Sequence, residues 1–448
     1  MRSAASADAG LDVAKDGAWS APLHAILAPD VALPGRDGLL DAEAVGRFLA
    51  VELRAGGLVP VGRCEVVHTN YRFGKHLRLL YRLRIGRRWR WVSACAFPDG
   101  EAEEAFRGAT HAAARRAGLR AVVRGTHLGA VFWTFPNDRR LVRLAALLLE
   151  ARALARRMGG PGSQVRIVRY KPETTLVLQL VEPSGRCLSY AKIYRPARGE
   201  TVGCLHASLA RQLRPDDPHL RLPAPLACVA GGQMLLVEAI EGREIGELEG
   251  REAEVGLARL GAALATFHSL EPPVEAPYFT RYDEACLTEA ASVLAQARPS
   301  LGPEAEALAR ELVRRFEPPP DRPVCLHGDM HTGNGILAGS GAALIDLDKV
   351  SLGPAAIDLG RLLSLLRYKR LVGLLTAADE RARVASLLAG YAGRRPLPSL
   401  HALRWHAAAA LLTEPAMQAL RRLQPEAIAR LDLLLAEARR FLEGHSDA

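Results

Sequence analysis

Three oxygen-bearing side chains stand close together between Val324 and Ser364. Asp329 and Asn334 follow one short apolar run, and Asp346 follows another. Mg²⁺ prefers hard oxygen ligands and usually takes one or two from protein, with phosphate and water completing its octahedron. Two of these side chains would suffice to hold a magnesium nucleotide, and the other carboxylate is left to hold an attacking hydroxyl. The spacing therefore predicts a phosphoryl-transfer site on two neighbouring turns.

The order HGDxHxxN, then IDxD, then a further Asp resembles the aminoglycoside phosphotransferase and choline kinase superfamily, relatives of the protein kinases. The resemblance implies that Asp329 is the catalytic aspartate and that Asn334 and Asp346 hold Mg²⁺ on ATP. It also implies that His327 braces the loop and that Asp358 ties the next helix to it. The alternative, a tight turn with solvated acids, would suit a lone HGD but not four elements in order.

A kinase also needs a lysine on a strand to hold the α- and β-phosphates. The chain has only six lysines, and Lys192 lies in the apolar run Leu188–Tyr194. Strands predicted over Val165–Tyr170 and Leu176–Val181 precede it, in the order of a kinase N-lobe. The alternative is an ordinary exposed strand lysine. The loop before the second strand has no glycine, so it cannot wrap phosphates as a glycine-rich loop does.

Other contacts are assigned by position within this resemblance. The helix predicted over Gly199–Leu213 offers only Glu200 as a partner for Lys192, and adenine would meet the backbone from Glu238 to Ile240. His268 is interpreted as a structural histidine at the end of a core helix. Six candidate acceptor contacts lie on segments that border the pocket in related enzymes: Asp283, Glu284, Asp348, Trp405, His406 and Glu414. Asp348 is either such a contact or a weak partner of the metal.

Charge is distributed unevenly along the chain. From Glu238 to Glu317 there are 16 acidic residues against 8 arginines, and in the resemblance this span surrounds the acceptor. A negative pocket would suit an aminated acceptor, whereas the alternative is a set of glutamate-rich helix surfaces. The formal charge of +10, in contrast, comes entirely from the residues before Val165.

The basic N-terminal part is predicted to be a cap domain, similar to the arrangement in bacterial maltokinase-like sugar kinases. Its meander Glu65–Phe97 echoes the later lobe, with Cys95 standing where Lys192 stands in the second copy. Two similar three-strand meanders are the favoured explanation of the echo, because few residues match, and an old duplication is the alternative. Arg139–Met158 is predicted as an amphipathic helix that packs on the N-lobe.

Nucleic acid and membrane partners are disfavoured. Arg87-Arg-Trp-Arg-Trp91 interleaves cations with aromatic rings, which suits nucleic acid, but a solvated edge strand explains it equally and no recognition motif accompanies it. No apolar run approaches the roughly 18 residues that span a bilayer. Seven cysteines without a CxxC pair fit reduced thiols, and the expected location is cytoplasmic.

These features predict an α+β, protein-kinase-like fold with an antiparallel-sheet N-lobe and a mainly helical C-lobe. The predicted domains are a cap over 1–160, an N-lobe over 161–240 and a C-lobe over 241–448. The expected activity is ATP- and Mg²⁺-dependent phosphorylation of a hydroxyl on a small molecule such as a sugar, amino sugar or aminoglycoside. A catalytically inactive binding protein is the alternative; a protein kinase is disfavoured because no activation segment follows IDLD. The sequence leaves the oligomeric state open.

Overall fold

A computed structural model describes residues 25–53, 59–98, 101–109, 118–214, 217–274, 276–318 and 322–444. Three regions follow one another along the chain, and we refer to them as the cap, the N-lobe and the C-lobe. The cap contains α1 Arg36–Leu40, α2 Ala42–Glu52, β1 Val61–Arg72, β2 His76–Ile85, β3 Arg88–Ala96, α3 Glu101–Arg107, β4 Val122–Gly125 and β5 Ala130–Thr134.

The N-lobe is built on a second antiparallel sheet. Its elements are α4 Leu144–Gly159, β6 Gln164–Lys171, β7 Thr175–Val181, β8 Cys187–Ile193, α5 Arg198–Ala210, β10 Pro225–Val229 and β11 Met234–Glu238. The three strands around Lys192 were predicted to within one residue at each end. Leucine side chains of α4 pack under this sheet in one buried cluster with Leu176 and Leu178, as the amphipathic pattern predicted.

The remaining elements form a mainly helical lobe with short strands. They are β9 Leu220–Arg221, β12 Arg243–Glu244, α6 Gly250–Phe267, α7 Glu284–Ala297, α8 Gly302–Arg314, β13 Val324–Leu326, β14 Gly335–Ala338, β15 Gly341–Leu344, β16 Ser351–Gly353, α9 Ala356–Leu371, α10 Ala377–Ala392, α11 Leu400–Thr413, α12 Pro415–Arg422, α13 Pro425–Ala429 and α14 Leu431–Glu443. The predicted fold class is confirmed.

Helix α4 begins later than predicted. The carboxylate of Asp138 accepts hydrogen bonds from the backbone N–H groups of Arg140 and Leu141, both at 2.8 Å. Arg143 then adopts φ +60°, a left-handed conformation that cannot continue a right-handed helix. These residues therefore form a turn, and regular helix starts only at Leu144.

The cap and N-lobe sheets share one topology. The cap strands lie in the order β1-β2-β3-β5-β4 and the N-lobe strands in the order β6-β7-β8-β11-β10. In each sheet the first three strands form a meander. The fifth strand pairs with the third, and the fourth strand lies at the edge, beyond the fifth. A helix, α3 or α5, precedes the fourth strand in both. Two unrelated three-strand meanders would not predict the agreement of the last two strands.

The same hydrogen-bond motif closes both sheets. Asp30 accepts from the hydroxyl of Tyr71 at 2.7 Å and from the backbone N–H of Gly74 at 2.9 Å. Asp138 accepts from the hydroxyl of Tyr170 at 2.6 Å and from the backbone N–H of Glu173 at 2.9 Å.

Cys95 and Lys192 likewise occupy corresponding third-strand positions. Cys95 pairs with the residue seven positions after Tyr71, and Lys192 pairs with the residue seven positions after Tyr170. Topology, motif and register together support duplication as the origin of the cap, contrary to the favoured expectation of two similar meanders.

The two tryptophan rings of the basic segment both contact other side chains of the protein. Trp91 stacks on Tyr170 with 5.9 Å between ring centroids, and the guanidinium of Arg82 covers Trp89 at 4.4 Å. These rings join the cap to the N-lobe or lie under an arginine, so they are not free platforms for bases. No helix in the described part of the chain is long and apolar enough to cross a membrane.

Candidate active site

A buried aspartate on α9 fixes the turn that follows β13. The carboxylate of Asp358 accepts hydrogen bonds from the backbone N–H groups of His327 at 2.7 Å and Gly328 at 3.1 Å. Gly328 has φ +72°, and a Cβ there would lie 2.1 Å from the carbonyl oxygen of Lys349. Only glycine allows so close an approach. Asp358 therefore ties its helix to the loop that carries Asp329.

Two histidines brace this turn from behind. The imidazole of His327 bonds the carbonyl of Ile345 through Nε2 at 2.9 Å, and its Nδ1 accepts from the N–H of Asp329 at 3.3 Å. His268, fully buried at the end of α6, bridges Asp358 and the hydroxyl of Tyr391. Both histidines thus hold the loop in shape without facing solvent.

Asp329 is the carboxylate that this scaffold presents. Its two oxygens pair with Arg361 Nη1 at 2.5 Å and Lys349 Nζ at 2.7 Å. Burial opposes its ionisation, but the charges of Arg361 and Lys349 outweigh that effect and hold the pKa of Asp329 well below its usual value. The group is therefore an anion at neutral pH, suited to accept a hydrogen bond from a hydroxyl.

Asn334 is oriented by the same loop. Its side-chain amide nitrogen donates to the backbone carbonyl of Asp329 at 3.0 Å, and the backbone carbonyl of Asn334 accepts from the N–H of Ile345 at 2.9 Å. The side chain is almost completely buried. Because the amide nitrogen is engaged, the amide oxygen is the atom left to act as a ligand.

Lys192 reaches from β8 across the cleft to two aspartates. Its Nζ lies 2.5 Å from Asp346 and 2.9 Å from Asp348, whose same oxygen accepts from the hydroxyl of Tyr194 at 2.8 Å. Burial disfavours the ammonium, but the two carboxylates outweigh it and raise the pKa of Lys192 well above its usual value. Lys192 is therefore a cation held between the lobes.

Asp346 has an uncommon backbone. It adopts φ +64° and ψ +53°, in the left-handed region where a non-glycine residue is strained. Burial raises the pKa of Asp346, but the adjacent Lys192 outweighs burial and leaves it lower than usual. For Asp348, burial dominates and the pKa is raised although Lys192 opposes it. Asp346 is thus the more strongly ionised acid of the pair.

The residues at hand fit a magnesium nucleotide. The described residues include no group of three or more His, Cys, Asp or Glu that would enclose a metal ion. The amide oxygen of Asn334 and the ionised carboxylate of Asp346 are two hard ligands, the number Mg²⁺ takes from protein when phosphates and water supply the rest. The donor set therefore suits an ion that arrives with phosphate.

A family model decides the identity of this arrangement. The model of the phosphotransferase enzyme family, APH, matches residues 164–397, which is more than half of the chain. The chain belongs to this family. It is therefore a small-molecule phosphotransferase, as the motif order predicted. Comparison with curated protein sequences finds no match.

Solved structures of similar proteins are distant from this phosphotransferase. Aminoglycoside phosphotransferase APH(3″)-Id from Streptomyces rimosus is 19% identical, with a TM-score of 0.42 over 61% of this chain and 99% of its own. A choline/ethanolamine kinase family protein from Mesorhizobium loti is 16% identical, with a TM-score of 0.44 over 66% and 94%. Amicoumacin kinase hAmiN, in complex with AMP-PNP and Ca²⁺, is 16% identical, with a TM-score of 0.45 over 63% and 88%.

The prediction that Glu200, on the helix after Lys192, is the partner of this lysine is wrong. Glu200 is exposed and its side chain lies against Gly232 instead, because it stands in the first turn of α5. His206, in the middle of α5, is the buried side chain that feels the charge of Lys192. Burial and then this ammonium lower the pKa of His206 to about 3, so it is neutral at pH 7.

The predicted adenine contacts at the hinge are only partly available. The backbone N–H of Glu238 donates to the carbonyl of Ala224 at 2.9 Å, and its side chain pairs with Arg221. Glu238 therefore cannot offer its N–H to adenine. Ile240, just past the end of β11, is half-buried and remains a predicted contact.

A cavity of about 510 Å³ opens beside Asp329. Its walls come from β1 of the cap, the turn after β6 of the N-lobe, and α7, α12 and the catalytic segment of the C-lobe. Eight basic side chains line it against three acidic ones. The basic residues are Arg72, Lys75, Lys171, Arg281, Lys349, Arg361, Arg421 and Arg422, and the acidic ones are Glu289, Asp329 and Glu414. The lining is therefore predominantly basic and does not form the negative pocket that the acid-rich span could have built.

The acidic residues of the span from Glu238 to Glu317 lie mostly away from the cavity. Of the acid-rich span from Glu238 to Glu317, only Arg281 and Glu289 contribute charge to the described lining of the cavity. Other acids of that span form exposed pairs, such as Glu252 with Arg243 at 2.8 Å. The alternative of glutamate-rich helix surfaces is the one that fits.

Most of the predicted acceptor contacts lie outside the cavity. Asp283 caps α7 by accepting from the N–H of Cys286, and Glu284 lines a separate hollow between α7 and α8. The indole of Trp405 is buried and donates to the carbonyl of Leu312 at 2.9 Å.

His406 is likewise buried, and its imidazole contacts the carbonyl of Ala402. Asp348 faces Lys192, as described above. Glu414 alone of the six lines the cavity, where it pairs with Arg361 at 2.8 Å.

Two side chains of the site were missed by sequence reasoning. Arg361 and Lys349 hold Asp329, and neither belongs to the motif that drew attention. Arg361 does stand three residues after Asp358, one turn along α9, so it faces the same side of that helix. That spacing is the signal that would have found it.

Proposed function

We propose that this phosphotransferase transfers the γ-phosphoryl group of ATP, with Mg²⁺, to a hydroxyl of a small molecule. The observation that carries the proposal is the bridge from Lys192 to Asp346, because it joins the sheet lobe to the predicted metal site across one cleft. Phosphoryl transfer needs alignment and charge neutralisation rather than covalent help from protein. The residues at this cleft are of the types that supply both.

Each residue has a distinct proposed role. Asp329 accepts a hydrogen bond from the acceptor hydroxyl, orients it and takes its proton. Lys192 would hold the α- and β-phosphates through its ammonium. Asn334 and Asp346 would hold Mg²⁺, which when bound would neutralise charge on the phosphate oxygens. His327 and Asp358 keep the loop in place.

Arg361 has a proposed positioning role beside Asp329. Its guanidinium contacts both Asp329 and Glu414, so it fixes the direction in which the carboxylate of Asp329 points. It also stabilises the anionic form of that carboxylate. A fixed, ionised acceptor is what hydroxyl orientation requires.

The alternative of an inactive binding protein has less support. A chain that had lost turnover would be free to lose Lys192, Asp329, Asn334 or Asp346, yet all four are present and oriented by hydrogen bonds or ion pairs. Among the predicted acceptors, a sugar suits the cavity better than an amino sugar or an aminoglycoside, because ammonium groups would meet a predominantly basic lining.

Acceptor-dependent ADP formation tests the proposal. Purified protein with ATP and Mg²⁺ is assayed against neutral, aminated, phosphorylated and carboxylated sugars, with choline as a further amine. We expect ADP release to rise well above the acceptor-free rate for at least one compound, and the product to contain one added phosphate by mass spectrometry. ATP binding without acceptor-stimulated ADP release would favour the inactive binding protein.

A further inference from the structure

The cavity beside Asp329 carries more positive charge than its own acids balance. Four of its basic side chains have carboxylate partners: Lys349 and Arg361 pair with Asp329, Arg281 with Glu414, and Lys75 with Glu289. These pairs use all three acids of the lining. Within the lining, basic residues therefore outnumber acids.

Two of the basic residues in the lining lack a carboxylate of their own. Within the described part of the chain, no ion pair involves Arg72 or Arg421. Arg72 ends β1 of the cap, and Arg421 lies in the last turn of α12. The two arginines lie close together. Burial lowers the pKa of Arg421, and the nearby charge of Arg72 lowers it further. Two neighbouring guanidinium groups on a cavity wall form a place for an anion.

The duplicated topology explains how the cap comes to supply one of them. Arg72 directly follows Tyr71, and Lys171 directly follows Tyr170, the two tyrosines that bond equivalent aspartates. Both basic side chains line the same cavity, although burial and then the charge of Arg169 lower the pKa of Lys171 to about 7. The two related sheets thus deliver corresponding basic residues to one space from two sides.

The proposed nucleotide site does not explain the positive charge that Arg72 and Arg421 bring to the cavity. The proposed phosphate-binding residues, Lys192, Asn334 and Asp346, do not line the cavity, whereas Arg72 and Arg421 do. Arg72 and Arg421 also come from β1 and α12, which belong neither to the N-lobe sheet nor to the metal-binding loops. Their charge is therefore placed for the second substrate.

We propose that the acceptor carries a phosphate or carboxylate group as well as its hydroxyl, and that Arg72 and Arg421 bind this anionic group. The inference rests on the proposed phosphotransferase reaction and names the class of acceptor for that same site. A phosphorylated or acidic sugar has the required chemistry, with its hydroxyl directed to Asp329. The volume of the cavity lies in the range of small-molecule sites.

The test uses four sugars with the same glucose skeleton and different charge: glucose, glucosamine, glucuronate and glucose 6-phosphate. Binding of each to the full-length protein is measured by calorimetry without nucleotide, and ADP formation is measured in parallel with ATP and Mg²⁺. The variants are Arg72→Gln and Arg421→Gln. Arg87→Gln, an exposed cap arginine that lies in the turn after β2 and outside the cavity lining, is the control with the same change of charge.

We expect the phosphorylated or carboxylated sugar to bind at least tenfold more tightly than glucose, and glucosamine to bind least. A charged hydrogen bond of ordinary strength implies that each cavity variant weakens binding of the anionic sugar by roughly tenfold. KM for ATP should stay within about twofold of wild type, and Arg87→Gln should match wild type. Raised ionic strength should weaken binding of the anionic sugars selectively.

Preferred binding of glucose or glucosamine would overturn the anionic acceptor, and so would cavity variants that change KM for ATP but not sugar binding. These results would leave the proposed phosphotransferase reaction standing if ADP still formed. Tight binding of an anionic sugar, lost in both cavity variants but without any ADP formation, would instead support the anion site and contradict the proposed reaction. The phosphate and carboxylate members of the panel separate the two kinds of anion.

Discussion

Lys192 and Asp346 meet across the cleft at 2.5 Å, although 154 residues separate them in the chain. The contact holds an ammonium from the sheet lobe against a carboxylate from the helical lobe. Asp348 shares the same ammonium, so two of its three N–H donors are engaged and one is left for a phosphate oxygen. The first prediction concerns this lysine.

Lys192→Met should weaken productive ATP binding. Loss of one charged hydrogen bond costs about 1.5–3 kcal/mol, so we expect kcat/KM for ATP to fall by at least tenfold, with KM for the acceptor changed much less. Lys192→Arg is the charge-conserving comparison, and it should remain impaired because a guanidinium does not replace a compact ammonium. Initial-rate kinetics measure both; wild-type kcat/KM for ATP in Lys192→Met would count against the role.

Asp329→Ala should lower kcat strongly and leave the affinity for nucleotide nearly unchanged. The carboxylate is predicted to act only on the acceptor hydroxyl, so kcat should drop by roughly 10²–10⁴-fold, the usual contribution of a positioned base. Affinity for MgATP, measured by calorimetry, should change little. Circular dichroism checks the fold, since Arg361 and Lys349 lose their partner. A fully active Asp329→Ala enzyme would remove Asp329 from the mechanism.

Asp346 and its neighbour Asp348 should behave differently. Asp346→Ala removes a proposed metal ligand and should abolish Mg²⁺-dependent nucleotide binding in calorimetry. Asp348→Ala removes a contact of Lys192 and Tyr194 but no proposed ligand, so binding should persist with affinity reduced by less than about tenfold. Equal losses in the two variants would contradict the assignment of the metal to Asp346.

Glu173 should matter for stability rather than chemistry. It is 3% exposed and pairs with Arg78 of the cap at 3.0 Å and Arg139 at 2.7 Å. Breaking a buried ion pair from one side typically costs about 3–5 kcal/mol, so Glu173→Gln should lower the free energy of unfolding by an amount of that order.

The exposed pair Glu252 with Arg243 provides the comparison for Glu173. When both variants are measured by urea denaturation, Glu252→Gln should lower the free energy of unfolding far less than Glu173→Gln, because solvent screens the exposed pair. Similar values for the two substitutions would show that Glu173 is not a structural link between the cap and the N-lobe.

Sequence patterns predicted the features that depend on residues near one another in the chain. Alternating apolar residues placed the three strands around Lys192 to within one residue, and the motif spacing brought Asp329, Asn334 and Asp346 to one cleft. Short turns between buried strands leave few conformations, so spacing alone restricts where these side chains lie.

Features that depend on distant elements were not foretold. The partner of Lys192 comes from a turn 154 residues away, and the helix after the lysine placed Glu200 on its exposed side. The charge of the cavity beside Asp329 depends in part on Arg72 and Arg421, which β1 and α12 bring together across most of the chain. Counting charges within one segment cannot reveal which of them face a common space.

Some expectations stay predictions. The division of the chain into domains at 160 and 240, the likeness of the cap to that of maltokinases, the cytoplasmic location and the adenine contact near Ile240 are among them. The shared strand order of the cap and N-lobe does, however, favour duplication over coincidence. Cys95 in the cap, at the position of Lys192, indicates that the cap does not hold a nucleotide in the same way.

The most direct measurement is a crystal structure of the protein with Mg²⁺ and a non-hydrolysable ATP analogue. The account predicts Mg²⁺ at about 2.0–2.1 Å from oxygens of Asn334 and Asp346, the α- or β-phosphate beside Lys192, and the γ-phosphate directed toward Asp329. A nucleotide bound elsewhere, or a metal ion that contacts neither Asn334 nor Asp346, would contradict it.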